Sequence, residues 1–219
     1  MSNVLVIAPH PDDETLGCGG TLLKHIANND NVYWLIITEM KRKYYTPDQI
    51  KKRKKIIKQI AKLYKFSGLI ELKFSTGNLD KYLLKDLIEE IKKNILDIVA
   101  EIIYIPFYGD IHSDHRICFE AAMSATKNFR LPFIKKIYMY ETLSETNFSF
   151  INNFSSIVFN NITNYFDRKI EILNIYKDEF SEHPFPRSFK SVEALAILRG
   201  SQAGYKYAEA FQLIKERVD

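Results

Sequence analysis

Short apolar runs rich in Val and Ile punctuate the first half of this chain: NVLVIA at 3–8, VYWLIIT at 32–38, LIELKF at 69–74 and IIYIPF at 102–107. The first two are too short for buried helices and suit strands buried in a sheet, and the other two read as a third and a fourth strand. Longer stretches with apolar residues at helical spacing follow them, at 15–27, 47–64, 81–96 and 113–129. Strands alternating with helices join through right-handed crossovers into a parallel sheet with helices on both sides. The expected fold is therefore α/β with a mostly parallel sheet. The strand order expected at its core is 3-2-1-4-5, which makes the first and fourth strands neighbours. Further strands are expected at 137–140 and 157–159. Beyond residue 160 the alternation weakens: 167–176 and 192–198 read as helical, and 208–214 fits a strand or a helix.

The 219 residues hold one sizeable core, and residues 1–219 read as a single domain. A net charge of +4 falls short of a dedicated nucleic-acid binder. Two cysteines, Cys18 and Cys118, make no disulfide framework and fit a reducing cytoplasm. No apolar run reaches the roughly 20 residues that span a bilayer. A homo-oligomer is left open.

Charge is concentrated after two of the strands. APHPDDETLGCGG (8–20) follows the first and GDIHSDHR (109–116) follows the fourth. Ligands of open parallel sheets bind beyond the carboxyl ends of the strands, where the strand order reverses. His10, Asp12 and Asp13 are thus expected to face Asp110, His112, Asp114 and His115 across one cleft. Imidazoles and a carboxylate arriving from such loops suit a divalent ion of zinc type, which takes three N/O ligands and leaves a position open. Asp12 and Asp13 cannot both point the same way, so one can bind metal while the other takes a proton from water. Glu14 suits simple capping of the helix start equally well. Gly17, Gly19 and Gly20 lack the spacing of a dinucleotide fingerprint and suit close packing of the first helix on the sheet. His25, within that helix, is read as a surface residue.

VLVIAPHPDDETLGCGGTL together with DIHSDHR resembles the LmbE/PIG-L family of zinc-dependent N-deacetylases. The likeness continues in HPFPRS and ALAILRGSQAGYKYAEAF, so it runs over nearly the whole chain. The resemblance implies a Rossmann-like three-layer fold and an amidohydrolase that removes acetyl groups from N-acetylglucosamine-type sugars or sugar conjugates. It implies His10, Asp13 and His115 as ligands of Zn2+, with Fe2+ as the alternative ion. It also implies Asp12 as general base, His112 as the group that stabilises the oxyanion or protonates the leaving amine, and Asp114 as the carboxylate that orients a histidine.

The chain departs from the family in reading HSDH where proline is usual in the second place. It has TEMKRKYY after the second strand in place of Asp-Gly, and Arg53 is followed by Ile56 where a glutamate is usual. Arg53, Asp110 and Arg187 are the candidates for holding substrate hydroxyls or a phosphate, with Tyr44, Tyr45 and Tyr108 as stacking faces. The basic run from Lys51 to Lys55 reads as a solvated face that could attract a nucleotide-linked or anionic sugar. His183 suits closing the cleft or capping a turn. The expected partner is a small N-acetyl sugar, with no nucleic acid and no integral membrane segment. A metal-dependent phosphoester hydrolase and a non-catalytic sugar-binding relative are the alternatives.

Overall fold

The computed structural model describes residues 1–150 and 153–218. Its elements run β1 (Asn3–Ala8), α1 (Asp13–Ala27), β2 (Asn31–Glu39), α2 (Pro47–Tyr64), β3 (Gly68–Ser75), α3 (Leu84–Ile98), β4 (Ile102–Pro106), α4 (Ser113–Ala125), β5 (Lys136–Tyr140), β6 (Val158–Asn161), α5 (Phe166–Leu173), α6 (Phe189–Ala203) and β7 (Ala208–Glu216). One seven-stranded sheet has the order β3-β2-β1-β4-β5-β7-β6. The first five strands pair in parallel in the expected order, and β7 pairs antiparallel with both β5 and β6. Together with the covering helices the sheet forms the expected three layers.

Side chains alternate across β1, as a strand requires. Leu5 and Ile7 pack on one face with α3 and α4, through Ile91, Ile95, Cys118 and Ala121. Val4, Val6 and Ala8 pack on the other with α1 and α2, through Leu22, Ile57 and Ile60. Helix α2 starts as its sequence dictates: Thr46 and Gln49 form a reciprocal capping box, with Pro47 in the first turn. It ends at Lys65 in a left-handed conformation.

The helix expected at 81–96 begins later. Leu79–Lys81 forms a separate 3-10 turn before α3. The helix expected at 167–176 divides into α5 and a 3-10 segment, Asn174–Glu179. The ambiguous stretch at 208–214 is strand β7. His25 is no surface residue: its ring nitrogens lie 2.8 Å from Asp30 Oδ2 and 3.0 Å from the Tyr104 hydroxyl, and burial lowers its proton affinity.

The glycines of α1 are packing residues. A Cβ on Gly17 would stand 2.3 Å from Tyr140 Cδ2, and one on Gly20 would stand 2.7 Å from the Ile162 side chain. The Tyr140 ring cannot swing aside freely, because its hydroxyl donates to the Ile7 carbonyl at 2.9 Å. A Gly17→Ala protein is expected to lose about 1–3 kcal/mol of stability, read as a lower urea midpoint. An unchanged midpoint would show that this contact gives way.

Candidate metal centre and active-site cleft

The carboxyl ends of β1 and β4 are adjacent, and the chain leaves them on opposite sides of the sheet, so a cleft opens there. It measures about 390 Å³ and is lined by His10, Asp12, Asp13, His112 and His115 at its floor. The short segment 9–12 after β1 and residues 107–112 after β4 carry the two charged motifs to this point, and α1 and α4 begin there.

Asp13 is the hub. Its Oδ2 lies 3.4 Å from His10 Nδ1 and 3.3 Å from His115 Nε2, and it accepts the His10 backbone N–H at 2.8 Å. The other nitrogen of each ring is held by a carboxylate. His10 Nε2 stands 3.1 Å from Asp114 Oδ2, and His115 Nδ1 stands 2.8 Å from Asp110 Oδ2. Those carboxylates are anchored in turn. Asp114 accepts the backbone N–H groups of Gly77 and Leu79, and Asp110 accepts the Thr146 hydroxyl.

This donor set fits a divalent ion. Ligands about 2.0–2.1 Å from a tetrahedral ion stand about 3.3 Å from one another; the two separations from Asp13 have that length, and all three ligand atoms lie within 4.8 Å of each other. Histidine ligands whose far nitrogen is fixed by a carboxylate are the usual supporting arrangement. The electrostatics agree. Burial opposes charge on His10, yet its hydrogen bonds to Asp114 and Asp13 raise it to about 9. Burial likewise opposes charge on His115, and Asp13 and Asp110 raise it well above the usual value. A field that draws protons onto imidazoles also draws a cation that competes for the same lone pairs. Asp13, in spite of burial, is held far below the usual carboxylate range by His115 and His10.

Asp12 stands apart from the trio. Burial and the neighbouring Asp13 push it up to about 7, against the pull of Arg53 and Arg187. Its Oδ2 lies 3.3 Å from Arg187 Nη1. Its backbone has φ 136°, a region that non-glycine residues rarely enter. Glu14 braces that conformation by accepting the Asp12 backbone N–H at 3.0 Å. Glu14 is wholly buried and also accepts the Thr15 hydroxyl at 2.6 Å and the Tyr176 hydroxyl at 2.9 Å. Burial pushes it up to about 8. It is therefore more than a cap, a role that charge at a helix start could not reveal. His112 caps α4, its Nδ1 accepting the Asp114 backbone N–H at 3.1 Å. That bond requires a lone pair on Nδ1, so the ring is neutral with its proton on Nε2. Burial, then His10 and His115, lower it to about 4.

The substrate candidates divide. Asp110 is fully buried behind His115, with both oxygens engaged, so it is a histidine-orienting group and not the substrate contact expected. Arg53 and Arg187 both line the cleft. Arg53 donates to the Pro11 carbonyl at 2.8 Å and pairs with Glu179 from another element. Tyr45 lines the cleft, whereas Tyr44 and Tyr108 do not. His183 is exposed outside it. Met40, Gln49, Glu145 and Glu179 also line it. Glu145 and Glu179 stand on segments without a motif, and Gln49 reads in sequence only as the partner of Thr46 in a helix cap. A second trio of donors, His10, His112 and Asp114, shares His10 with the first.

Comparison with known proteins gives a family match over residues 5–126, to the family described as PIG-L: GlcNAc-PI de-N-acetylase. Among solved structures, the conserved protein TT1542 from Thermus thermophilus is 20% identical, with a TM-score of 0.78 over 100% of this chain and 97% of that one. The N,N'-diacetylchitobiose deacetylase from Pyrococcus horikoshii is 19% identical, with a TM-score of 0.75 over 98% of this chain and 84% of that one. The 4-carboxy-2-hydroxymuconate hydratase from Pseudomonas putida KT2440 is 16% identical, with a TM-score of 0.77 over 100% of this chain and 98% of that one. These likenesses establish the shared fold.

Proposed function

The chain belongs to the PIG-L family, and from that premise we propose that it is a metal-dependent amidohydrolase that removes the acetyl group from an N-acetylated sugar or sugar conjugate. The products are acetate and a free amine. The observation that carries this reading is a buried carboxylate, Asp12, standing beside a separate His10–Asp13–His115 donor set in one cleft. His10, Asp13 and His115 would hold the ion, zinc in our reading with ferrous iron as the alternative. When bound, such an ion supplies polarisation of the amide carbonyl and activation of the attacking water.

The residues around it do the rest. Asp110 and Asp114 fix the ring orientations of His115 and His10. Asp12 accepts the proton of the attacking water, and its elevated affinity suits a base that works near neutrality. His112, neutral with a proton on Nε2, donates a hydrogen bond to the oxygen that becomes negative. The proton held by Asp12 passes to the departing amine. Arg187 beside Asp12 and Arg53 on the cleft wall orient the sugar.

A phosphoester hydrolase commonly uses two ions, and the shared His10 leaves one complete set among the described residues. Residues 1–219 act as one domain in this reading. Its place is the cytoplasm, which suits two free buried thiols. Among the described residues no helix is long and apolar enough to cross a membrane.

The test is acetate release from a panel of N-acetyl sugars and conjugates. Activity is expected to vanish with a strong chelator and to return with a divalent ion, with acetate and primary amine appearing in equal amounts. A hydratase, the activity of one protein of this fold, would yield neither product. Activity that survives complete metal removal would overturn the metal-dependent reading.

A further inference from the structure

Helix α2 carries seven basic residues and one acid, Asp48, although the whole chain carries a net charge of only +4. Helix α3, of similar length and equally exposed on its outer side, carries three lysines and four acids. A general preference for lysine in this chain therefore does not explain α2. Lys51, Lys54, Lys55 and Lys58 fall at i, i+3, i+4 and i+7, one face of the helix, and all four are exposed. Like charges at this spacing weaken a helix. No acidic side chain pairs with any of the four among the described residues, whereas Lys52 pairs with Asp178 and Arg53 with Glu179.

This face is also concave. With Arg42 the four lysines line a groove in which Asp48 is the only acid, and Ile50 and Lys54 line both this groove and the active-site cleft. The cationic surface thus begins at the mouth of the cleft. Residues 51–58 of a helix span about 10 Å, which matches a diphosphate together with the groups on either side of it.

We propose that the groove of Arg42, Lys51, Lys54, Lys55 and Lys58 is a subsite for a phosphate or diphosphate group carried by the N-acetyl sugar that occupies the cleft. The inference rests on the deacetylase reading for what fills the cleft. Its chemistry is that of an anion met by several ammonium groups, which draw it from solution and hold it as point charges.

The experiment compares N-acetylglucosamine, its 1-phosphate, a nucleoside-diphosphate conjugate and a vesicle-borne lipid diphosphate conjugate, on metal-loaded protein. The phosphorylated forms are expected to show a kcat/KM about 10-fold or more above the free sugar at low salt, and the advantage is expected to shrink as ionic strength rises. Lys51→Gln/Lys55→Gln/Lys58→Gln, which keeps helix-forming residues, is expected to cut the ratio of phosphorylated to free sugar about 10-fold. Lys92→Gln/Lys93→Gln on α3 is expected to leave that ratio as it was. The soluble and vesicle-borne arms tell a free from a lipid-borne diphosphate.

Calorimetric binding of the 1-phosphate against the free sugar tests the groove without turnover. Absence of acetate from every sugar would sink the deacetylase reading, while lysine-dependent binding of the 1-phosphate would still uphold the subsite. A ratio near one in the parent protein, a ratio indifferent to the triple substitution, or lysine-dependent binding only to bare phosphatidylglycerol vesicles or to oligonucleotides would overturn the proposal.

Discussion

An Asp12→Asn protein is expected to keep its metal and to lose about 10²–10⁴ of its kcat, the usual contribution of a positioned general base. The separation of the two effects follows from the geometry. Asp13, not Asp12, is the hub of the two histidines, and the Asp12 carboxylate reaches towards Arg187 instead. Asparagine has the same shape, and it is among the side chains that best tolerate a positive φ, which this position demands. The backbone brace to Glu14 uses the main-chain N–H and survives the change. What goes is the oxygen that can take a proton. Acetate release measures the rate, and atomic absorption on the dialysed protein measures the ion. A variant with the parent kcat would remove Asp12 from the chemistry. A variant that lost its ion along with its rate would make Asp12 a ligand.

The second large effect concerns stability. Lys169 and Glu209 are both almost wholly buried. Lys169 Nζ donates to Glu209 Oε1 at 2.7 Å and to the Leu16 carbonyl at 2.9 Å. Glu209 also accepts the backbone N–H groups of Gly20 and Thr21, at 2.8 and 2.7 Å. One ion pair therefore ties α5 and β7 to the middle of α1. Lys169→Met leaves a buried carboxylate without its counter-charge and is expected to cost about 3–5 kcal/mol. In a chain of this length that is a fall in Tm of roughly 10 °C. Adding Glu209→Gln removes the orphan charge but leaves one acceptor oxygen where Gly20 and Thr21 each use a separate one, so the double variant is expected to recover only part of the loss. Thermal unfolding of the two single variants and the double variant decides it. A Lys169→Met protein as stable as the parent would show that water or a rearrangement replaces the lysine.

The residues that make the fold legible are the ones whose side chains must be buried twice over. Short strand-forming runs alternating with helices make the parallel α/β sheet legible, because only crossover helices let parallel strands follow one another; the order of the strands is not written in that alternation. β7 is ambiguous in sequence because Glu209 sits in its buried half and its second half is partly exposed. Neither a period of two nor a period of 3.6 emerges from such a segment. The cleft itself is legible because two charged motifs, a hundred residues apart, stand at the ends of strands that topology makes neighbours. Its walls are not. Arg53 pairs with Glu179, more than a hundred residues away, and only folding brings the two together. Asp110 reads as a substrate contact because it is polar and lies in the second charged motif. Its hydrogen bonds to His115 and Thr146, which no spacing encodes, turn it inward.

The residues at the ends of β1 and β4 and those on the walls come from different stretches of chain. The donors sit on segments 10–13 and 110–115, whereas Met40, Tyr45, Gln49, Glu179 and Arg187 sit on others. Replacements in the wall segments alter the shape and charge that meet an incoming molecule while the buried floor is left untouched. A molecule built this way can change its diet over generations without relearning its chemistry.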